Sequence, residues 1–239
     1  MTLFSLSSAA PAVASTSVTV RCKGVLFDMD GILISSLGSV ERSWHTWAVS
    51  RGIDPKLAIR TAHGCRAIET IRKLRPDLDD EAELKFIEDI EVADLEDVAV
   101  LPGVLELLAA LPTERWTVVT SATKRLACIR LATAGISVPE DIISADMVSQ
   151  GKPHPEPYLR GAESLGLSPA DCVVFEDAGS GTKSGHAAGC TVIATTFSHS
   201  IEELAAADYL IKDLTEITVE VLPGEDGLAF HFIALARSS

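Results

Sequence analysis

At 239 residues, 47% of them hydrophobic, the chain is long enough to bury one substantial core and still carry a smaller inserted module. Its formal charge is −14, with Lys and Arg scattered, which excludes a nucleic-acid surface because phosphate-backbone binding needs a basic stripe. A small anion can still be bound where positive charge is concentrated locally.

No apolar run has the length of a membrane span. The cysteines Cys22, Cys65, Cys128, Cys172 and Cys190 are dispersed, odd in number and without a Cys-x-x-Cys pair. That pattern argues against a disulfide framework or a structural zinc site and for a reducing, cytoplasmic compartment. Residues 1–20 are Ala/Ser-rich, and Ala12-Val13-Ala14 resembles a small-residue cleavage site. No Lys or Arg precedes it and Ser and Pro break the apolar run, so the segment is read as an irregular N-terminal extension.

Short apolar runs then alternate with helical patterns. The runs are Gly24–Phe27, Trp116–Thr120, Ile142–Ser144, Cys172–Phe175 and Thr191–Thr195. Continuous apolar character predicts strands buried on both faces, and their alternation with helices predicts a doubly wound parallel α/β sheet. One interval is out of step. Between the first and second runs lie Gly38–Arg51, Ala67–Leu74 and Asp80–Val92, all with helical periodicity. A crossover needs about a dozen residues, so residues 37–100 read as an inserted helical module. The core is then 21–36 and 101–239, with Leu101-Pro102-Gly103 marking the return and Val104–Leu111 a helix. Leu228–Leu235 is either an extra strand or a docked tail.

Ligands of open α/β sheets bind at the carboxyl ends of the strands, and each predicted end carries useful chemistry. The first runs into Asp28-Met29-Asp30-Gly31, where one carboxylate can attack phosphorus while the other moves protons. Taken alone, that tetrapeptide is equally an ordinary solvated turn. The second ends in Thr120-Ser121-Ala122-Thr123, where a hydroxyl and backbone N–H groups can cradle phosphate or simply cap a helix. Next, prolines frame Lys152 in Gly151-Lys152-Pro153-His154-Pro155, so its ammonium is pinned where most lysines are solvated; His154 reads as structural. The fourth run ends in Glu176-Asp177, a carboxylate pair that needs a cation if buried and is otherwise an exposed turn. The order of the four, each at a strand end, carries the reading.

In that order the residues resemble the haloacid dehalogenase-like hydrolase superfamily, in its Asp-x-Asp phosphatase branch, over about Lys23 to Lys212. The resemblance implies a Rossmann-like core with a helical cap inserted after the first strand, acting on a small phosphorylated metabolite with Mg²⁺. By motif, Asp28 is the nucleophile and Asp30 the general acid/base. Ser121, Ala122 and Lys152 hold the transferring phosphoryl group. Asp28, the Asp30 carbonyl and Asp177 hold Mg²⁺, with Glu176 assisting directly or through water.

Three stretches are similar to the glycerol-phosphate and 2-deoxyglucose-phosphate phosphatases: His63-Gly64-Cys65-Arg66, the segment Gly151 to Leu159, and Phe175-Glu176-Asp177-Ala178 leading to Cys190. They make Arg66, and more weakly His63, substrate contacts or cap-structural residues. Ile32 stands where the family usually has Thr or Val. A phosphomutase of the β-phosphoglucomutase type shares this core but usually adds a cap lysine, absent from His63–Thr70. A dehalogenase lacks the second aspartate. A catalytically silent binding relative has no reason to keep Asp28, Asp30, Lys152 and Asp177 together. A monomer is expected, because a cap has to move.

Overall fold

The computed structural model describes residues 16–222 and 227–236. It begins with a strand, β1 (Thr16–Cys22). This corrects the irregular extension at its end: alternation from Val18 buries Val20 and Cys22 and exposes Thr19 and Arg21, which is the period of a half-covered strand. Residues 1–15 lie outside the described ones.

Lys23 alone separates β1 from β2 (Gly24–Phe27), and the chain then leaves through β3 (Ile34–Ser35). Four helices follow: α1 (Leu37–Ser50), α2 (Pro55–Ala62), α3 (Ala67–Leu74) and α4 (Asp80–Ala93). Return is by β4 (Ala99–Val100), which pairs antiparallel with β3, so exit and re-entry form one two-stranded ribbon. The helices pack round a small core of their own. Trp44 and Trp47, three apart on one face of α1, meet edge-to-face at 5.3 Å, and Ala58, Ile71 and Ile87 close round them. Trp47 Nε1 donates to Glu83 at 2.6 Å, which satisfies the one polar atom that burial would strand.

After α5 (Val104–Ala110) come β5 (Trp116–Val118), α6 (Lys124–Thr133), α7 (Glu156–Ser164), β6 (Cys172–Glu176), α8 (Gly179–Ala188), β7 (Thr191–Thr195) and β8 (Tyr209–Ile211). The parallel sheet has the order β5-β2-β6-β7-β8. Side chains alternate cleanly between its faces. Phe27, Phe175 and Ile193 enter one core with Leu131 and Phe230, while Leu26, Val174 and Val192 enter another with Tyr158 and Leu204. Both faces are covered, as the unbroken apolar runs predict, and each fully buried Phe or Leu contributes about 1.5–3 kcal/mol. The run Ile142–Ser144 differs from expectation: it makes only a single bridge, Ile143 to Val119, and the fifth strand is β8.

Leu228–Leu235 resolves to a strand, β10 (Gly227–Ala234), between β1 and β9 (Thr218–Leu222) in an antiparallel sheet. Phe230 on β10 seats against Phe175 at 5.5 Å, tying this sheet to the strand that ends in Glu176.

Candidate active site

Asp28 follows β2 directly, and its N–H donates to Phe175 O at 2.9 Å, so the central strand pair delivers the first aspartate beside the end of β6. Gly31, at φ +84°, turns the chain away. A Cβ there would collide with Asp177 Oδ2, so this glycine also allows the close approach of the two acidic loops. The segment from Gly151 to Pro155, which contains a cis Lys152–Pro153 bond, brings Lys152 to the same sheet end.

Lys152 is 2% exposed. Its three N–H donors are all taken, by Asp28 Oδ1 at 2.8 Å, Glu176 Oε1 at 2.7 Å and Val119 O at 3.0 Å, with the Tyr158 ring 4.9 Å from Nζ. Burial alone would lower its pKa, but Asp28 and Glu176 outweigh burial and hold it above the ordinary lysine range. The pinned lysine therefore exists, yet with no free donor; it supplies charge and orients Asp28.

Glu176 is wholly buried and accepts four hydrogen bonds. Oε1 receives Lys152 and the Tyr158 hydroxyl (2.8 Å), and Oε2 receives the backbone N–H groups of Asp177 (2.9 Å) and Ala178 (3.0 Å). Its acceptor capacity is spent on protein donors, so the geometry favours an anchor for Lys152 over the expected assistance to a metal. Gly181 keeps that anchor in place, because a Cβ at the first turn of α8 would occupy the space of its carboxylate.

Asp28, Glu176 and Asp177 bring carboxylate oxygens within 4.8 Å of one another, a grouping able to hold a metal ion. Burial, then the neighbouring carboxylates, push Asp177 well above the usual range. Burial and Glu176 likewise raise Asp28, against the pull of Lys152. Three carboxylates face one ammonium, and hard oxygen donors with excess negative charge suit a divalent cation such as Mg²⁺. Asp177 is steadied by the Ser198 hydroxyl, which also meets His199 Nδ1 at 2.6 Å.

Asp30 sits beside this cluster with its side chain 31% exposed. The Ser36 hydroxyl donates to it, and Arg130 Nη1 approaches at 3.3 and 3.5 Å. A cavity of about 570 Å³ opens from Asp28 and Asp30 between the core and the helical unit. Ser121 and Ala122 line it. Among the described residues Ser121 Oγ reaches Gly64 O, at 3.4 Å, while the Ala122 N–H donates to Thr120 Oγ1 at 3.1 Å. The cap of α6 is Thr123, whose hydroxyl accepts from Leu126 N–H, so Ser121 is not consumed as a helix cap.

The two cap residues line the cavity but are engaged differently. Arg66 is buried and fully engaged: Nη1 donates to Ala145 O (3.2 Å) and Val148 O (2.7 Å), Nη2 to Ser149 O (2.9 Å) and Glu69, and Nε to Glu69 (3.0 Å). In this arrangement its donors serve the structural one of its two expected roles. Its bonds to loop carbonyls of the core latch the helical unit down. His63 does line the cavity. Its Nε2 has no partner among the described residues, its ring lies 6.2 Å from His199, and burial followed by His199 lowers its pKa.

Sequence reasoning missed Tyr158, Ser36, Ser198, Arg130 and Glu91. The last two left a trace. Arg130 falls on the buried stripe Leu126, Ala127, Arg130, Leu131 of α6, and Glu91 on the stripe Glu83, Ile87, Glu91 of α4. A charged residue on an apolar stripe needs a partner. Here they meet at 3.4 Å in the wall of the cavity. Burial raises Glu91 to about 7, with Arg130 opposing and Asp30 adding to the shift.

Comparison with known proteins identifies the family. Residues 25–195 match the family model for haloacid dehalogenase-like hydrolases. Hexitol phosphatase A of Escherichia coli (strain K12) is 41% identical over 212 residues, covering 87% of this chain and 98% of that protein. Glycerol-1-phosphate phosphohydrolase 2 of Saccharomyces cerevisiae is 36% identical over 216 residues, covering 84% and 86%. Among solved structures, a hydrolase from Pseudomonas syringae superposes with a TM-score of 0.72 at 24% identity, covering 80% and 93%. A β-phosphoglucomutase from Clostridium difficile superposes at 0.70 and 21% identity, covering 82% and 93%, a likeness of fold. With the family model spanning most of the chain and curated relatives at this identity, the protein belongs to the haloacid dehalogenase-like hydrolases.

Proposed function

We propose that the chain is a Mg²⁺-dependent phosphoric monoester hydrolase acting on glycerol or sugar phosphates through an aspartyl-phosphate on Asp28. The observation that carries this is the buried Asp28–Lys152 pair, 2.8 Å apart, whose Asp28 lines a cavity together with Asp30. The curated relatives, phosphatases of hexitol, glycerol and 2-deoxyglucose phosphates by name, support the substrate class. Residues 37–100 act as the cap, with the β3–β4 ribbon as its two crossings.

Lys152 fixes Asp28 Oδ1, so the nucleophile presents one orientation and its carboxylate does not retreat from substrate. Asp30, held by Ser36 and approached by Arg130, protonates the leaving oxygen and later takes a proton from water. Ser121 offers its hydroxyl to the phosphoryl oxygens, exchanging its long contact to Gly64 O. Asp28, Asp177 and the Asp30 carbonyl would hold Mg²⁺. When bound, it supplies positive charge that keeps the Asp28 carboxylate ionised and offsets charge on the transferring group. Arg66 and Glu69 close the cap over the site and exclude bulk water.

The test is release of inorganic phosphate from a panel of glycerol and hexose phosphates with Mg²⁺, for wild type and Asp28→Asn. Release is expected from wild type and should fall at least about 10³-fold in the variant. Undiminished release by Asp28→Asn, or none by wild type, refutes the proposal.

A further inference from the structure

Arg130 stands apart from the other paired arginines. Arg51 reaches Glu83 at 2.8 Å, and Arg66 reaches Val148 O at 2.7 Å, ordinary lengths for a guanidinium with its acceptor. Arg130 is as buried as Lys152, at 2% exposure, yet its contacts are 3.3 and 3.5 Å to Asp30 and 3.4 Å to Glu91, and Nε has no partner among the described residues. A guanidinium has five N–H donors, and removing it from water without strong acceptors is costly. It lines the cavity together with Asp30 and Glu91. An acceptor is therefore missing at this point, and the place is specific. Asp30 is the group that meets the leaving oxygen, so Arg130 and Glu91 flank the carbons next to the ester.

We propose that Arg130 and Glu91 form a hydroxyl-reading subsite for the leaving alcohol. Arg130 donates to, and Glu91 accepts from, the hydroxyls adjacent to the phosphate ester. A hydroxyl both donates and accepts, so a cation and an anion side by side serve a pair of vicinal hydroxyls. An acidic tail does not fit, because two carboxylates, Asp30 and Glu91, stand against the single charge of Arg130. The apolar wall of Val40, Trp44, Leu84 and Leu126 suits the C–H faces of a neutral polyol. Arg130 belongs to α6 of the core and Glu91 to α4 of the helical unit, so the subsite is complete only when the two are together. This inference rests on the phosphatase reading above and adds how that site selects its substrate.

The experiment compares kcat/KM of the full chain with Mg²⁺ on glycerol 3-phosphate, on n-propyl phosphate, which lacks the hydroxyls, and on 3-phosphoglycerate, which replaces one end by a carboxylate. Wild type is expected to prefer glycerol 3-phosphate to both. In Glu91→Gln and Arg130→Met the preference over n-propyl phosphate should shrink about 10- to 100-fold, the worth of a hydrogen bond to a charged group, mainly through KM for glycerol 3-phosphate. The ratio cancels any loss through Asp30 common to both esters. Glu91→Gln keeps the side-chain shape and carries the test if Arg130→Met fails to fold. A wild type without the preference, or a ratio unchanged in folded Glu91→Gln, overturns the subsite while leaving the phosphatase reading intact. A wild type that hydrolyses none of the three esters, nor p-nitrophenyl phosphate, overturns both.

Discussion

Replacing Glu176 by Gln distinguishes an anchor from a metal ligand. The side chain is fully buried and both oxygens accept two donors, at 2.7 and 2.8 Å on one and 2.9 and 3.0 Å on the other. A glutamine has one acceptor oxygen, so whichever way it is turned its NH₂ faces two donors. One orientation opposes Lys152 and Tyr158; the other opposes the Asp177 and Ala178 amides. Two hydrogen bonds to a charged group are lost, at about 1.5–3 kcal/mol each. Relief of the repulsion among Asp28, Glu176 and Asp177 returns part of this. The net cost should be about 3–5 kcal/mol, as for breaking a buried ion pair. With a urea slope near 3 kcal/mol/M, the unfolding midpoint should fall by about 1–2 M. In the orientation that opposes Lys152 and Tyr158, Lys152 loses one of its three acceptors, which should cost about 10²-fold in kcat. The assay is urea unfolding in EDTA, followed by Mg²⁺ titration of phosphate release. An anchor weakens the metal-free protein. If the variant instead unfolds at the wild-type midpoint in EDTA and shows only a raised Mg²⁺ requirement, the anchoring argument is wrong.

Glu91 gives a pH signature. Unfolded, its carboxyl titrates near 4.5; folded, at about 7. Between these values the unfolded chain gives up its proton first, so stability falls as pH rises, by up to about 3 kcal/mol above the folded value. The thermal stability of Glu91→Gln relative to wild type should therefore climb between pH 4.5 and 7 and level off above; a difference flat with pH refutes the shift. Mg²⁺ at about 100 times its Kd should stabilise wild type by about 2.7 kcal/mol. Asp177→Asn should lose that gain, and melting curves with and without Mg²⁺ check it; an undiminished gain excludes Asp177 as a ligand. Gly31→Ala should behave alike, because its Cβ displaces Asp177 Oδ2 and its φ of +84° is unfavourable to alanine.

The parallel sheet was legible because strands buried on both faces are mostly apolar until their ends, where chemistry begins. Hence Asp28, Glu176 and Asp177 could be read at strand ends, while Lys152 was legible from its prolines, since Ile142–Ser144 forms no strand of the sheet. The division of labour between Glu176 and Asp177 could not. It depends on Tyr158 in α7 and on two backbone amides, none of which adjacency in sequence indicates. The two roles open to Arg66 could not be separated in the sequence, because the carbonyls of 145–149 reach it only from the core. β1 escaped notice because half of it faces solvent and its partner lies at the far end of the sequence. β8, three residues long, is too short to carry a period.

The pairing of β1 with β10 runs from Thr16↔Ala234 to Cys22↔Leu228. Such a contact spans the parallel sheet and the helical unit together, and a ribosome delivers β10 after both. Until then β1 is a lone strand joined through Lys23 to β2, and Phe175 lacks its Phe230 lid. The strand leading into Asp28 can find its parallel neighbours during synthesis, but one flank of that core waits for β10 to emerge. Loss of β10 would then leave the acidic cluster assembled over an open hydrophobic flank, so damage there would register first as aggregation and only afterwards as lost chemistry.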